Sequence, residues 1–127
     1  MFPSANIAGM PGTAITTAFI PVRNPHAAAD WYRRFLGLSV AEANTFSAVL
    51  TAAGTASVTL MGPDSGIKAA PGLAWATCNF MVDDLTGTHA VLAESGVPVG
   101  AIEGSPEVCL FFTAQDPDGN TLLLTDR

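Results

Sequence analysis

Basic residues are scarce in this chain. Five Lys and Arg stand against eleven Asp and Glu, a net charge of −6 at pH 7, and only Arg33 and Arg34 adjoin. Affinity for nucleic acid comes mainly from clustered cations that release phosphate counterions, so a nucleic-acid partner is excluded. The acidity instead suits a small cation, which an acidic protein attracts at long range. Cysteine is equally sparse. Cys78 and Cys109 both lie inside apolar strand patterns, so they read as buried free thiols of a cytoplasmic protein rather than a disulfide framework. Long apolar runs are missing too, because Pro, Gly, Thr or a charge interrupts each one, and a membrane span is excluded. Residues 1–12 lack a basic start and an apolar core, so they are expected to form a surface arm and not a signal peptide.

What the chain does contain is apolar surface. Hydrophobic residues make up 49% of 127 positions and charged ones 13%, which excludes disorder and implies one domain with a heavily buried sheet. Residues 13–22 alternate and are rich in Ile, Phe, Thr and Val, as a strand requires. Asn24 is a good N-cap and Pro25 a good first helical residue. Ala28, Trp31, Tyr32, Phe35 and Leu36 then recur at helical spacing, and Gly37 supplies a left-handed stop, predicting a helix over 25–36. Trp31 and Tyr32 belong to the face that packs on the sheet. Strands are predicted over 38–43, 45–53 and 56–61, with turns near Asn44 and Gly54. Residues 62–73 are rich in Gly and Pro and read as a linker.

The pattern then repeats. A strand over 75–82, a helix over 85–94 capped by Asp83-Asp84 and ended by Gly96, and strands over 97–102, 108–114 and 121–125 follow in the same order. Thr77, Phe80, Val82 and Asp84 each stand 60 positions after Thr17, Ile20, Val22 and Asn24. Strand, helix and three strands, twice, indicate an internal duplication: a first module over 13–61 and a second over 74–127.

Three stretches carry a resemblance. Asp-Trp-Tyr-Arg-Arg-Phe-Leu-Gly-Leu at 30–38 resembles the helix signature of the glyoxalase, bleomycin resistance protein and extradiol dioxygenase superfamily, also called vicinal oxygen chelate. Asp116-Pro117-Asp118-Gly119-Asn120 is similar to that family's penultimate turn, and Val82-Asp83-Asp84-Leu85 to its second strand-to-helix junction. The likeness spans residues 14–127. It implies an α+β fold in which two βαβββ modules form an open, curled, eight-stranded mixed sheet around a central cavity, with helices on the outer face. It also implies a homodimer. Metal-dependent members hold a divalent ion with a His or similar ligand on the first strand of each module and a Glu, occasionally His, on the last.

Counted from the signatures, those four positions are Thr17, Thr77, Leu123 and Thr59 here. Three neutral hydroxyls and a leucine make no tight site for zinc, iron or manganese. His26 and His89, read as exposed residues on outer helices, cannot replace them. The D-x-D-G within 116–119 lacks the other ligands of a calcium loop. No metal or other cofactor is therefore expected, and metal-dependent glyoxalase or dioxygenase activity is not expected either.

Strand alternation predicts what lines the cavity instead. Phe19 and Pro21 share a face with Thr17; Trp75, Asn79 and Met81 with Thr77; Ser57 and Met61 with Thr59; and Thr121 and Thr125 with Leu123. Phe46, and one of Phe111 and Phe112, complete the lining; Phe111 is taken as the inward residue. The opposite face carries Ile20, Val22, Val58, Leu60, Cys78, Phe80, Val82, Leu122 and Leu124. Aromatic walls with a few neutral hydrogen-bonding groups suit a small molecule that is aromatic or cationic. The favoured reading is a metal-independent protein that sequesters a drug or natural product, an antibiotic-resistance type of function. The alternatives are a metal-free isomerase or lyase using Glu42, Glu103 or Glu107, and a structural dimer without a ligand.

Overall fold

The computed structural model describes residues 12–54 and 56–127. The expected arm therefore lies, except for Gly12, outside the described residues. The first module runs β1 (Thr17–Pro21), α1 (Pro25–Leu36), β2 (Ser39–Ala43), β3 (Ser47–Thr51) and β4 (Ser57–Met61). The second runs β5 (Asn79–Met81), α2 (Leu85–Glu94), β6 (Glu103–Ser105), β7 (Cys109–Gln115) and β8 (Thr121–Thr125). Local chemistry sets the helix ends. The Asn24 side chain accepts from Ala27 N at 3.1 Å, and Gly37 takes φ 68° while its N–H bonds the Arg33 carbonyl. Asp84 caps α2 in the same way, accepting from Gly87 N at 3.0 Å.

The eight strands hydrogen-bond as two four-stranded mixed sheets, β1-β4-β3-β2 and β5-β8-β7-β6. Each begins with the same parallel pair, Phe19 opposite Thr59 in one and Asn79 opposite Leu123 in the other. The duplication read from sequence is thus a duplication of sheet register. Ile20, Ala48, Leu50, Val58 and Leu60 form the buried face under α1, with Tyr32 of the helix fully buried against them. Phe112, Ala114, Leu122 and Leu124 do the same for α2, with Leu85 and Leu92. Each such large apolar side chain contributes about 1.5–3 kcal/mol by leaving water. The alternate residues form an open face turned away from the helices.

Several boundaries differ from expectation, each for a backbone reason. The fifth strand is only three residues long, and Trp75 and Thr77 sit in bends before it. Asn120 Oδ1 accepts from Gly72 N and Leu73 N, both at 2.9 Å, and the Leu73 carbonyl accepts from Thr121 N. That grip holds the linker end before the chain can join β8. The predicted strand over 97–102 reduces to one bridge, Val99 with Ala114. Pro98 has no N–H to give, so its carbonyl alone meets Gln115 N, and ladder pairing resumes at Glu103. The linker contains a single 3-10 turn, Pro63–Ser65. Among the described residues no helix is long and apolar enough to cross a membrane.

Candidate functional site

The two modules meet through the Asp116–Asn120 turn. Asp116, only 4% exposed, accepts four hydrogen bonds: Asp118 N and Asn120 N on Oδ1, Tyr32 Oη and Asn120 Nδ2 on Oδ2. Asn120 Nδ2 also reaches back to the Pro21 carbonyl at 2.8 Å, tying β8 to the end of β1. Arg23 closes the outside with a 2.8 Å bond to Asp118 Oδ1. Burial and the Asp116 charge raise the Tyr32 hydroxyl above its ordinary pKa, so it remains a neutral donor. Both carboxylates of this turn are consumed by protein donors, which removes it as a cation loop.

Residues of β1, β3, β4, β5 and the end of α1 line a half-open cavity of about 640 Å³ at the seam between the modules. Its apolar wall includes Leu36, Leu38, Leu50, Val58 and Phe80, and Thr17, Ser57 and Asn79 add polar atoms. Cys78 is a half-buried part of the wall. Burial raises its thiol pKa, with a hydrogen bond from Thr77 pulling the other way. A separate outer cleft of about 380 Å³ lies between Trp31, Arg23 and Asp118.

Of the ten residues expected to contact a ligand, Thr17, Ser57 and Asn79 line this cavity. Thr59, Leu123 and Phe111 lie on the open faces beside it; Phe111 pairs with Thr125. Phe112 turns the other way, buried edge-on against His89 with ring centres 4.8 Å apart. Phe19, Phe46 and Trp75 are 50%, 56% and 65% exposed. Phe46 precedes β3 instead of lying on it, and Thr77 is exposed in the bend before β5. The cavity also recruits Leu36 and Leu38 from the end of α1, and Asp83 after β5. Alternation along strands could not reach these residues, because the seam is lined from several elements and not from one strand face.

His89 corrects the reading of an exposed helix histidine. It is half-buried beneath α2, with Nε2 2.9 Å from the Gly100 carbonyl. Glu42, Glu103 and Glu107 are exposed and do not line the cavity.

The superfamily's divalent ion does not fit this donor set. Thr17 Oγ1 bonds the Ser57 carbonyl at 3.2 Å and lies 2.7 Å from Thr59 Oγ1, so the two hydroxyls satisfy each other. Leu123, which occupies the fourth position, offers no donor atom. Among the described residues no three His, Cys, Asp or Glu side chains converge.

Comparison with known proteins agrees with this architecture. The family model described as Glyoxalase/Bleomycin resistance protein/Dioxygenase superfamily matches residues 14–124. None of the curated proteins matches the sequence. Among solved structures, a bleomycin resistance determinant encoded on the transposon Tn5 shares 21% identity at TM-score 0.67, over 91% of this chain and 98% of its own. TnmS3, an antibiotic binding protein from Streptomyces sp. CB03234, shares 21% at TM-score 0.72, over 91% and 96%. Lactoylglutathione lyase from Agrobacterium tumefaciens shares 18% at TM-score 0.73, over 91% and 94%. At these identities the likeness establishes the fold.

Proposed function

The chain belongs to the glyoxalase, bleomycin resistance protein and dioxygenase superfamily, and from that membership we propose a metal-independent small-molecule binding protein, one that sequesters a drug or natural product. The seam cavity carries the reading. Its volume of about 640 Å³ falls in the range of ligand pockets, which run from about 300 to 1,000 Å³ and combine apolar walls with a few polar groups. The donor set at the family's metal positions supports binding without a metal ion. Two of the structural neighbours are a bleomycin resistance determinant and an antibiotic binding protein, which fits the same reading.

A homodimer and a cytoplasmic location belong to this proposal. The two sheets leave open faces and edges that a second copy would cover. Sedimentation at micromolar concentration tests the dimer, and a monomeric mass would refute it.

The binding reading is tested by a thermal-shift screen of planar natural products. A ligand at 100 times its dissociation constant adds about 2.7 kcal/mol of stability. Thr51 lines the cavity at its exposed rim. Thr51→Trp therefore keeps a strand-compatible residue while filling the space, and it is expected to abolish the shift. Binding unaffected by Thr51→Trp would place the ligand elsewhere. Chemical change of a bound compound would establish the enzyme reading instead.

A further inference from the structure

We propose that Asp83 selects the charge of the ligand, so that the seam cavity takes a molecule bearing an ammonium or comparable cation on an apolar body. The inference rests on the small-molecule reading of the same cavity and adds the chemical class. Among the described residues Asp83 is the one charged residue in the lining. Its neighbour Asp84 is occupied in capping α2 through Gly87 N, whereas among the described residues no hydrogen bond or ion pair engages the Asp83 carboxylate.

The basic residues leave that charge uncompensated. Arg23, Arg33 and Arg127 pair with Asp118, Asp30 and Asp126, and Arg34 lies 5.1 Å over the Phe35 ring. Lys68 belongs to the linker between the modules. None of the five lies on a strand, while the carboxylates Glu42 and Glu103 do, sharing the open faces with Val49 and Phe111. An anion entering the cavity would meet the Asp83 charge with no basic residue among the described lining residues to offset it. A cation would meet Asp83, which is exposed at the cavity rim, while its apolar body rests on the walls. A neutral body gains only the walls.

The test uses three probes of one shape: 2-naphthylmethylamine, 2-naphthalenemethanol and 2-naphthoic acid, titrated calorimetrically into the full chain. The amine is expected to bind about five-fold tighter than the alcohol, as a partly exposed ion pair allows, and the acid weakest. Asp83→Asn should bring amine and alcohol to equal affinity, and raised salt should do so in the parent protein. Glu42→Gln should leave the preference in place, since Glu42 lies outside the cavity. Equal affinities in the parent protein, or a preference that survives Asp83→Asn, overturn the charge-selector role while leaving the binding reading intact. Failure of all three probes, together with a negative natural-product screen, would overturn both.

Discussion

The hydroxyl of Tyr32 donates a 2.7 Å hydrogen bond to Oδ2 of Asp116, and both residues are buried. One belongs to the helix of the first module and the other to the last turn of the second, so two stretches 84 residues apart close on a single contact. Tyr32→Phe keeps the ring and its edge contact with Trp31 but leaves a buried carboxylate short of a donor. A hydrogen bond to a charged group is worth about 1.5–3 kcal/mol. The variant should lose about 2 kcal/mol in urea denaturation at unchanged slope, and a loss under about 0.5 kcal/mol would show the contact to be dispensable.

The same pair sets an alkaline limit. Tyr32 has a raised pKa in the folded chain, from burial first and the Asp116 charge second. Near pH 10 the unfolded chain loses the phenolic proton while the folded chain keeps it. Stability is then complete below about pH 10 and falls by about 1.4 kcal/mol per pH unit above it. Tyr32 is the only tyrosine, so tyrosinate absorbance reports this group alone. It should appear only together with unfolding, and Tyr32→Phe should remove its share of the pH dependence. Tyrosinate appearing near pH 10 in still-folded protein would contradict the burial.

Asn120 gathers more of the fold than its small size suggests. Its side chain accepts from Gly72 N and Leu73 N and donates to the Pro21 carbonyl and Asp116, joining linker, first module and second module. Asn120→Ala strands several buried partners at once, each costing about 1–3 kcal/mol when unpaired. The expected loss is at least about 3 kcal/mol. It should be accompanied by faster amide exchange at Leu73 and Thr121, whose pairing depends on the same grip. Exchange unchanged at those two amides would deny Asn120 that role.

How much of this was readable from residues alone follows from which forces are local. The α1 caps and the Asp116–Asn120 turn use side chains within a few positions of the backbone they bind, so sequence spacing reveals them. The placement of Leu123 came from counting along the turn signature and that of Thr59 from the duplication, and the two stand opposite Asn79 and Phe19 in the parallel pairs of their sheets. Trp75 and Thr77 were misplaced onto a strand because the tie from Asn120 to Leu73 is long-range and leaves no periodic trace. His89 looked solvent-facing because the composition of α2 does not mark its inner face, and only the Gly100 carbonyl and Phe112 give it partners. The seam cavity was illegible for a related reason. Its walls come from helix-facing and open-facing residues of strands in both modules, and alternation assigns a residue to one face only.

Gly104 shows a backbone constraint inside a strand. It holds φ 93°, and a Cβ built there would collide with the Cys109 carbonyl. Gly104→Ala therefore adds steric overlap to conformational strain, and should cost about 2 kcal/mol or more. Gly37→Ala has open space around it at φ 68° and should cost only about 1 kcal/mol. Equal losses in thermal unfolding would mean that the close approach of β6 to β7 relaxes freely.

The cavity can be watched through Cys78. Burial raises its pKa in the folded chain, so the reactive thiolate accumulates at higher pH than in an ordinary cysteine. With Cys109→Ser removing the other free thiol, reaction with a disulfide reagent should report Cys78 alone. Its rate should still be climbing above pH 8.5, where a free cysteine is already half ionised. Denaturant should return the midpoint to the ordinary value. A cavity ligand found by screening should slow the reaction in proportion to occupancy, because Cys78 is part of the cavity wall. A midpoint at or below pH 8.5 in the folded protein would contradict the buried thiol, and labelling indifferent to a tightly bound ligand would place that ligand outside the seam.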